Sequence, residues 1–513
     1  METRHLINDF DLCYRAICSR DTRFDGQFFI AVTTTGIYCR PICPARTPYR
    51  EHVRFYACAA AAEAAGFRAC RRCHPEASPG SPEWNIRADL VARALRLIAD
   101  GVVDTEGVAG LARRLAVSSR HLHRELIAEV GVGPLALART RRAQTAHLLI
   151  DQTGLALTTI AFAAGFSSIR QFNETIQTAF GCTPSAIRRH SQPEQRGDGK
   201  LTLRLQYRPP LAGADLLAFL ARRAIPGVEE VQGKLYRRTI EFPHSCGVIE
   251  LEIPERTPFI LLHLQLNNLS DLNLIVQRCR QFFDLDADPS AVAAILASDP
   301  LLAPLIAVRP GLRVPGTING FELAVRTIVG QQISVAGART LLKRLVTALG
   351  TPLAQPYGTL THHFPSPQAL LSQDLQGLGL TNGRIKALHA LAHAVAEEGL
   401  LLDRAADREQ TLAHLQSLAG VGPWTTSYIA MRALGDPDAF PISDLGLRHA
   451  LALQEIDPGS IEKRAEAWRP WRAYAVHYLW ASLSDASPLR PRKKEVTRLI
   501  LPSQIPAPLT SSL

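Results

Sequence analysis

The pattern of hydrophobic and polar positions changes twice along the chain. Between residues 85 and 190 apolar residues recur at helical spacing almost throughout, which predicts a block of helices. At 201–207 and in much of 248–253 apolar and polar residues alternate, as in strands with one buried face. Helical periodicity then returns from about residue 273 to 500. The pattern predicts a multidomain, mainly α protein with an α+β unit in its middle.

Two polar segments mark boundaries between these patterns. Residues 76–82 are rich in Pro, Ser and Gly, and residues 189–200 are polar with few core-forming side chains, so both are typical of linkers. With the change near residue 273, they predict four domains, at 1–78, 84–190, 200–272 and 273–500. A length of 513 residues agrees, because domains commonly hold about 100–200 residues.

Composition and charge narrow the class of protein. Hydrophobic residues at 46% and charged residues at 20% argue against a largely disordered chain. No stretch approaches the roughly 18 apolar residues of a membrane span, and the N-terminus lacks the apolar core of a signal peptide. We therefore expect a cytoplasmic protein without a membrane partner. The net charge of +10, of which +7 precedes the break after Lys200, suits DNA but also many ordinary basic proteins.

Four cysteines have the spacing of a zinc site. Cys39 and Cys43 form one close pair, and after 26 intervening residues Cys70 and Cys73 form a second pair. In a cytosolic chain such cysteines favour metal or redox chemistry over disulfides. The unit has few large apolar residues, so a metal would supply folding energy, and the spacing alone also fits a purely structural ion. Three other cysteines are expected to be buried small hydrophobic residues: Cys13, Cys18 and Cys58.

Residues 36–46 and 65–75, with Phe55 and Tyr56, resemble the N-terminal zinc domain of the Ada family of alkylation-response proteins. The resemblance implies a small α+β fold in which zinc-bound Cys39 irreversibly accepts a methyl group from a DNA methylphosphotriester. A metal keeps sulfur as the nucleophilic thiolate, and methylation makes the site less negative, which should raise its affinity for DNA. Nearby arginines are candidate contacts to the DNA backbone: Arg40, Arg46, Arg68, Arg71 and Arg72.

The helical block contains one short pattern twice. Residues 108–126 and 157–176 each read as a helix, a tight turn and a second helix, with Gly165 in the second turn. Ser118 or Ser119 can cap the second helix of the first unit, and Ser167 or Ser168 that of the second unit. A single copy could be any helical hairpin, but two copies about 50 residues apart predict paired helix-turn-helix units that reach the major groove.

This block resembles the AraC-type regulator domain, through Ala161, Gly165, Phe166 and residues 180–185. The resemblance implies transcriptional activation at a promoter, with RNA polymerase as a further partner. The expected base-reading residues lie at the start of each second helix: Arg120, His121, Arg124, Ser168, Arg170, Gln171 and Asn173. A zinc unit followed by an AraC-type unit is the Ada order, but the Pro-Cys-His-Arg motif of the Ada alkyltransferase is absent. Repair of O6-methylguanine is therefore not expected.

The C-terminal part carries a candidate catalytic group. Residues 415–426 have the form of a helix–hairpin–helix, in which Gly420 and Gly422 permit a turn whose backbone N–H groups can face a DNA phosphate. Trp424 and Tyr428 follow one helical turn apart, and Asp444 lies 20 residues beyond Trp424. By itself Asp444 could cap the helix that starts after it, and the aromatic residues could belong to the core.

Residues 200–490 resemble the AlkA-type alkylpurine glycosylases of the helix–hairpin–helix superfamily, supported by residues 309–316, 321–334 and 468–475. The resemblance implies that Asp444 stabilises positive charge on the sugar, or activates water, during hydrolysis of the N-glycosidic bond of bases such as 3-methyladenine. The base must leave the duplex for a pocket, which the resemblance assigns to Trp424, Tyr428 and Trp480.

This sequence differs from other members of the superfamily at a few positions, and these differences lead to further expectations. The hairpin position of the Schiff-base Lys of bifunctional relatives holds Trp424, so a monofunctional enzyme without cofactor is expected. No cysteine follows Cys279, which excludes a four-thiolate iron–sulfur cluster. The wedge that fills the gap left by the base is Gln332 or Ile333, and Leu445 replaces an aromatic residue after Asp444.

The combined expectation is a monomeric protein that binds damaged and promoter double-stranded DNA, accepts methyl groups at a zinc site, activates transcription and excises alkylated bases. Two alternatives remain. One is a regulator whose glycosylase-like domain only binds DNA, and the other is a protein whose zinc is only structural.

Overall fold

The computed structural model describes residues 9–19, 24, 28–41, 43, 45–70, 75, 89–191, 200–453 and 461–486. Its first unit is a four-stranded sheet with helices α1 (Phe10–Ser19) and α2 (Ala59–Ala64). The strands have the order β3-β1-β2-β4: β1 (Phe29–Val32), β2 (Ile37–Cys39), β3 (Val53–Tyr56) and β4 (Arg68–Ala69). Strands β2 and β4 run parallel, with Tyr38 paired with Ala69. The residues that follow this pair, Cys39 and Cys70, therefore emerge side by side.

The unpaired cysteines of this unit only partly match expectation. Cys13 is fully buried and Cys58 nearly so, whereas the prediction for Cys18 is wrong, because its side chain is exposed. Helix α1 buries Cys13, Ala16 and Ile17, and the next residue turns toward solvent because each helical step rotates about 100°.

The second unit is all helical, as predicted. Its helices are α3 (Asp89–Ala99), α4 (Val102–Arg114), α5 (Ser119–Val130), α6 (Pro134–Gln152), α7 (Leu157–Ala163), α8 (Ile169–Phe180) and α9 (Pro184–His190). Ser118 accepts a hydrogen bond from the N–H of His121, and Ser168 accepts one from the N–H of Gln171, so these two serines are the caps of α5 and α8. The alternatives Ser119 and Ser167 do not cap: Ser119 is the first helical residue, and Ser167 precedes the cap.

We expect Ser168→Ala to lower the free energy of unfolding by about 1 kcal/mol, because an N–H of the first turn loses its partner. Ser167→Ala is the matched control and should have a smaller effect, since Ser167 only donates to the Gln171 side chain at 3.1 Å. Chemical denaturation of the full chain measures both values. Equal losses for the two variants would contradict the assignment of the cap.

The third unit places a helix on a five-stranded antiparallel sheet. The strands have the order β5-β9-β8-β7-β6: β5 (Leu201–Gln206), β6 (Glu229–Gln232), β7 (Leu235–Glu241), β8 (Cys246–Glu252) and β9 (Phe259–Leu266). Helix α10 (Gly213–Arg223) connects β5 to β6 and buries Leu216, Leu217, Phe219 and Leu220. The two strands predicted from alternation are β5 and β8, which pair with β9 on either side.

Over residues 267–453 and 461–486 the secondary structure is helical except for one hairpin, β10 (Pro352–Tyr357) and β11 (Leu360–His362). Its helices are α11 (Leu272–Phe282), α12 (Pro289–Leu296), α13 (Ala303–Val308), α14 (Gly320–Gly330), α15 (Val335–Leu349), α16 (Pro367–Ser372), α17 (Asn382–Ala396), α18 (Arg408–Ser417), α19 (Pro423–Arg432), α20 (Leu445–Leu453), α21 (Ile461–Ala465) and α22 (Arg472–Ala486). Two of its tryptophans, Trp468 and Trp471, are buried in the core. None of the helices described is long and apolar enough to cross a membrane.

The units pack against one another. One apolar cluster joins side chains of the first sheet, of α6 to α8 and of the five-stranded sheet. At a second contact, Arg278 of α11 forms ion pairs with Asp100 at 3.3 Å and with Asp403 at 3.0 Å. Arg93 of α3 pairs with Asp407 at 3.0 Å. The helical second unit is therefore docked on the C-terminal part through apolar and ionic contacts.

Candidate active site and metal centre

Three of the four predicted metal ligands come together. Cys39 ends β2, Cys70 follows the paired strand β4, and Cys43 lies in the turn after β2, where its N–H donates to the Arg40 carbonyl at 3.1 Å. The three Sγ atoms lie within 4.8 Å of one another. Cys73 lies outside the described residues. The fold thus brings the first close pair and one member of the second pair to one place.

The distances between these sulfur atoms fit a tetrahedral thiolate site. Zinc–sulfur bonds of about 2.3 Å place two ligands of a tetrahedron about 3.8 Å apart. The Sγ atoms of Cys43 and Cys70 are 3.9 Å apart. The separation of this pair therefore suits two thiolate ligands of one zinc ion.

A cavity of about 600 Å³ opens beside the three cysteines. Arginines and a histidine supply its charged or polar lining, among them Arg40, Arg46, Arg68 and His52. Phe180, the last residue of α8, also lines it and stacks near His147, with ring centroids 4.5 Å apart. The second helix-turn-helix unit therefore forms part of the wall of the metal site. The sequence did not reveal this role of Phe180, because it depends on packing between two domains.

The predicted base-reading residues lie on exposed surfaces of two helices. On α5, Arg120 and Arg124 are exposed, and Arg124 contacts the ring of His121 at 2.8 Å. On α8, Arg170 is 88% exposed and bonds Glu174 at 2.8 Å, and Asn173 is exposed. Gln171 is half-buried and accepts a hydrogen bond from Ser167. The Ser168 hydroxyl caps α8, so it already accepts a hydrogen bond from the backbone of that helix.

Asp444 is held by three N–H donors. The indole Nε1 of Trp424 donates to Oδ2 at 2.8 Å, the indole Nε1 of Trp480 donates to Oδ1 at 2.8 Å, and the backbone N–H of Leu447 donates to Oδ1 at 2.7 Å. The last bond caps α20. A carboxylate offers about four acceptor sites, so among the residues that the structure describes one site is left, and it lies on Oδ2.

Glycine at position 446 leaves room for this arrangement. A Cβ there would lie 3.0 Å from Asp444 Oδ1 and 3.3 Å from Trp480 Nε1. A Cβ at this position would therefore require the carboxylate and the indole to shift by a few tenths of an ångström. Gly446 therefore belongs to the site. It was not among the predicted site residues, although it lies only two positions after Asp444.

The aromatic side chains form a half-buried wall beside Asp444. Trp424 and Tyr428 stack with centroids 5.5 Å apart and an interplanar angle of 21°, and Trp480 lies 6.1 Å from Tyr428. All three predicted pocket residues are thus adjacent. Behind Tyr428, Arg432 donates to the phenol oxygen at 2.8 Å. Burial acts to raise the pKa of Tyr428, but Arg432 and Arg223 outweigh burial and hold that pKa below its ordinary value.

The third unit contributes to the region behind this wall. Arg223 of α10 lies over the Phe219 ring at 3.8 Å, and the ring of His477 lies 5.3 Å from Phe219 and 5.0 Å from Trp480. Burial is the main cause that holds the pKa of His477 well below its ordinary value. The sequence did not predict Phe219 and Arg223 as part of the site, because they lie on an element more than 200 positions before Tyr428.

The hairpin has backbone groups available for a phosphate. Gly420 has φ +83°, a conformation that glycine adopts without strain, and Gly422 is extended and caps α19. Within the part of the chain that the structure describes, the N–H groups of Gly420 and Gly422 donate to no protein acceptor. Both residues are exposed, so DNA can approach them.

The two wedge candidates lie in the exposed loop between α14 and α15. Both Gln332 and Ile333 are exposed, and Gln332 has φ +56°, in the left-handed region. Leu445, next to Asp444, is 65% exposed. The choice between the two wedge candidates therefore stays open.

Four family descriptions match consecutive parts of the chain. They are the metal binding domain of Ada (residues 12–76), a helix-turn-helix domain (111–190), the AlkA N-terminal domain (202–319) and the HhH-GPD superfamily base excision DNA repair protein (325–473).

Three relatives show how these parts are combined elsewhere. A probable bifunctional transcriptional activator/DNA repair enzyme AlkA of Mycobacterium tuberculosis is 47% identical over 485 residues, 93% of this chain and 97% of the relative. The DNA-3-methyladenine glycosylase 2 of Escherichia coli is 34% identical, over 54% of this chain and 95% of its own. The bifunctional transcriptional activator/DNA repair enzyme Ada of Escherichia coli is 36% identical, over 35% of this chain and 49% of its own.

Proposed function

The chain belongs to the family of bifunctional transcriptional activator/DNA repair enzymes AlkA, and on that premise we propose a division of labour within it. The C-terminal part hydrolyses the N-glycosidic bond of alkylated bases such as 3-methyladenine. The N-terminal unit accepts a methyl group from a DNA methylphosphotriester on Cys39. The helical block binds promoter DNA and recruits RNA polymerase. We expect the protein to act as a monomer.

The observation that carries the glycosylase proposal is Asp444, fixed by two indole donors beside an aromatic wall. An N-alkylated purine is cationic, so it leaves readily and needs little help from an acid. The C1′–N bond breaks and its electron pair neutralises the purine ring, while positive charge builds on the sugar. The Asp444 carboxylate stabilises that charge, and the remaining acceptor site on Oδ2 suits a hydrogen bond from the attacking water.

The aromatic wall supports the selection of a cationic base. The faces of Trp424, Tyr428 and Trp480 attract a cation, and stacking favours a base that has left the duplex. The N–H groups of Gly420 and Gly422 would bind a phosphate of the same strand.

Cys39, Cys43 and Cys70 would hold zinc together with Cys73. Zinc, when bound, keeps these sulfur atoms as thiolates at neutral pH. Cys39 Sγ attacks the methyl carbon of the phosphotriester, the carbon–oxygen bond breaks, and its electron pair stays on the phosphate oxygen. The products are a thioether and an ordinary phosphodiester, so the protein is consumed. Arg40, Arg46 and Arg68 line the cavity and would bind phosphate oxygens.

The glycosylase proposal is tested with the full chain and duplex DNA containing 3-methyladenine. We expect free 3-methyladenine and an abasic site, with the strand intact until alkali is added, because Trp424 occupies the hairpin position of a Schiff-base lysine. Chromatography of the released base and gel analysis before and after alkali measure both. Strand cleavage without alkali would contradict a monofunctional reaction.

We expect Trp480→Phe to slow base release about 10-fold, because a hydrogen bond to a charged group is worth about 1.5–3 kcal/mol. Phenylalanine keeps an aromatic face for stacking and removes the donor to Asp444, together with one ring of the indole. Trp468→Phe makes the same change at another carboxylate, since Trp468 Nε1 donates to Asp299 at 2.7 Å. The single-turnover rate of base release by this control variant should stay within about twofold of that of the unsubstituted protein (the parent). Both rates are measured at a temperature at which the proteins are folded. Similar slowing in both variants would contradict a specific role for the Trp480 donor.

A further inference from the structure

The loop of residues 331–334 joins α14 to α15 and carries both wedge candidates. Gln332 and Ile333 are exposed, whereas the preceding residue, Gln331, is half-buried. Gln331 is therefore not free to enter DNA in the same way, and its side chain has partners within the protein.

Gln331 bonds the loop to the hairpin on both sides of the turn. Its Nε2 donates to the Gly420 carbonyl at 2.9 Å and to Thr425 Oγ1 at 2.9 Å. Gly420 lies in the hairpin, and Thr425 lies in the first turn of α19, which begins at Pro423. The backbone oxygen of Gln331 accepts a hydrogen bond from Arg384 of α17. Two segments about 90 positions apart in sequence are thus joined by one side chain.

The backbone of Gln332, the residue after Gln331, has a conformation that surrounding contacts must stabilise. Gln332 has φ +56°, which residues other than glycine rarely adopt. Such a conformation persists where the surrounding structure determines it, and it is often found at functional sites. The bonds of Gln331 fix the residue directly before it.

We propose that Gln331 is a positioning residue that holds the wedge loop in a fixed geometry relative to the hairpin. This inference rests on the proposed base-excision function. During eversion the hairpin binds a phosphate and the wedge loop enters the space left by the base. The hairpin and the loop must therefore keep a fixed relative position to contact one DNA strand at the same time. Without the bonds of Gln331 the two contacts would be made independently, and extrusion of a paired base would become slower.

The test compares the parent with Gln331→Met, which keeps the length of the side chain and removes both donors without adding charge. Gln373→Met is the matched control, because Gln373 is an exposed glutamine after α16. Eversion is followed by the fluorescence of 2-aminopurine next to the lesion, so it is independent of bond cleavage. Two duplexes are used, one with the lesion paired and one with the lesion in a single-nucleotide bulge, where less pairing and stacking must be lost.

We expect Gln331→Met to slow eversion of the paired lesion about 10-fold, as the loss of two neutral hydrogen bonds would allow. The bulged lesion should be everted within about twofold of the parent rate, and Gln373→Met should match the parent on both duplexes. Equal slowing on both duplexes, no slowing on either, or a parent that causes no change in fluorescence would overturn the proposal. A parent that everts the base but releases none would refute the proposed hydrolysis and leave the role of Gln331 standing.

Discussion

Asp444→Asn is expected to slow the release of 3-methyladenine from duplex DNA about 10²–10³-fold, because a preorganised charge that faces the transition state contributes rate factors of that size. The substitution is well matched to the site. Asparagine is as good a helix cap as aspartate, so its oxygen can keep the bonds from Leu447 N–H and Trp480 Nε1. What is lost is the charge and the acceptor for Trp424.

The control for this variant is binding. The affinity for DNA that contains an abasic site should stay within a few-fold of the parent, since the contacts of the hairpin and the aromatic wall remain. Single-turnover release of the base and fluorescence anisotropy give the two values. Unchanged release by Asp444→Asn would show that the carboxylate only caps α20.

Cys39→Ser is expected to abolish methyl uptake, from one methyl group per chain to none, because a serine hydroxyl is not ionised at neutral pH and is a poor nucleophile. DNA with radiolabelled methylphosphotriesters supplies the methyl group, and peptide mass spectrometry of the parent locates the label. Cys182→Ser is the control: its cysteine is half-exposed and lies outside the metal cluster.

The location of the label separates the possible acceptors. Label on the peptide that contains Cys39 supports the proposal, and label on Cys43 or Cys70 refutes it. The base-release activity of Cys39→Ser should remain close to that of the parent, because Asp444 and the hairpin lie in a different unit.

The family resemblance, carried by local motifs, assigned the candidate site residues that lie close together in the chain. The separation between Trp424 and Asp444 corresponds to one helix and a loop, so the indole reaches the carboxylate at 2.8 Å. The two helix-turn-helix units were recognisable because caps and turns depend on a few neighbouring residues. To choose between Ser118 and Ser119 as the cap, the first residue of α5 must be known, and a sequence pattern locates a helix end only to within a few residues.

Long-range packing could not be predicted in the same way. Phe180 lines the metal site, and Phe219 and Arg223 lie behind the aromatic wall, because sheets and helices from different units pack together. Nothing near these residues in the sequence indicates their partners. Strands β6, β7 and β9 were also missed: residues 259–264 are almost continuously apolar apart from one histidine, so β9 lacks alternation although it is the central partner of β5 and β8.

For Asp444, the helix-capping role and the proposed catalytic role are compatible. The N–H of Leu447 occupies Oδ1 and fixes the rotation of the carboxyl group, while Trp480 occupies the other site of the same oxygen. The carboxylate is thereby oriented before DNA binds, and its remaining acceptor site lies on Oδ2. Capping is part of the preorganisation that catalysis requires.

One measurement tests most directly the central claim that this chain combines two separate reactions. Duplex DNA treated with a methylating agent is incubated with the parent, Cys39→Ser and Asp444→Asn, and both the methyl content of the protein and the free base are quantified from each reaction. The account predicts that the parent gains one methyl group and releases 3-methyladenine, that Cys39→Ser only releases base, and that Asp444→Asn only gains the methyl group. Loss of both activities in either folded variant, or release of base by Asp444→Asn at the parent rate, would contradict it.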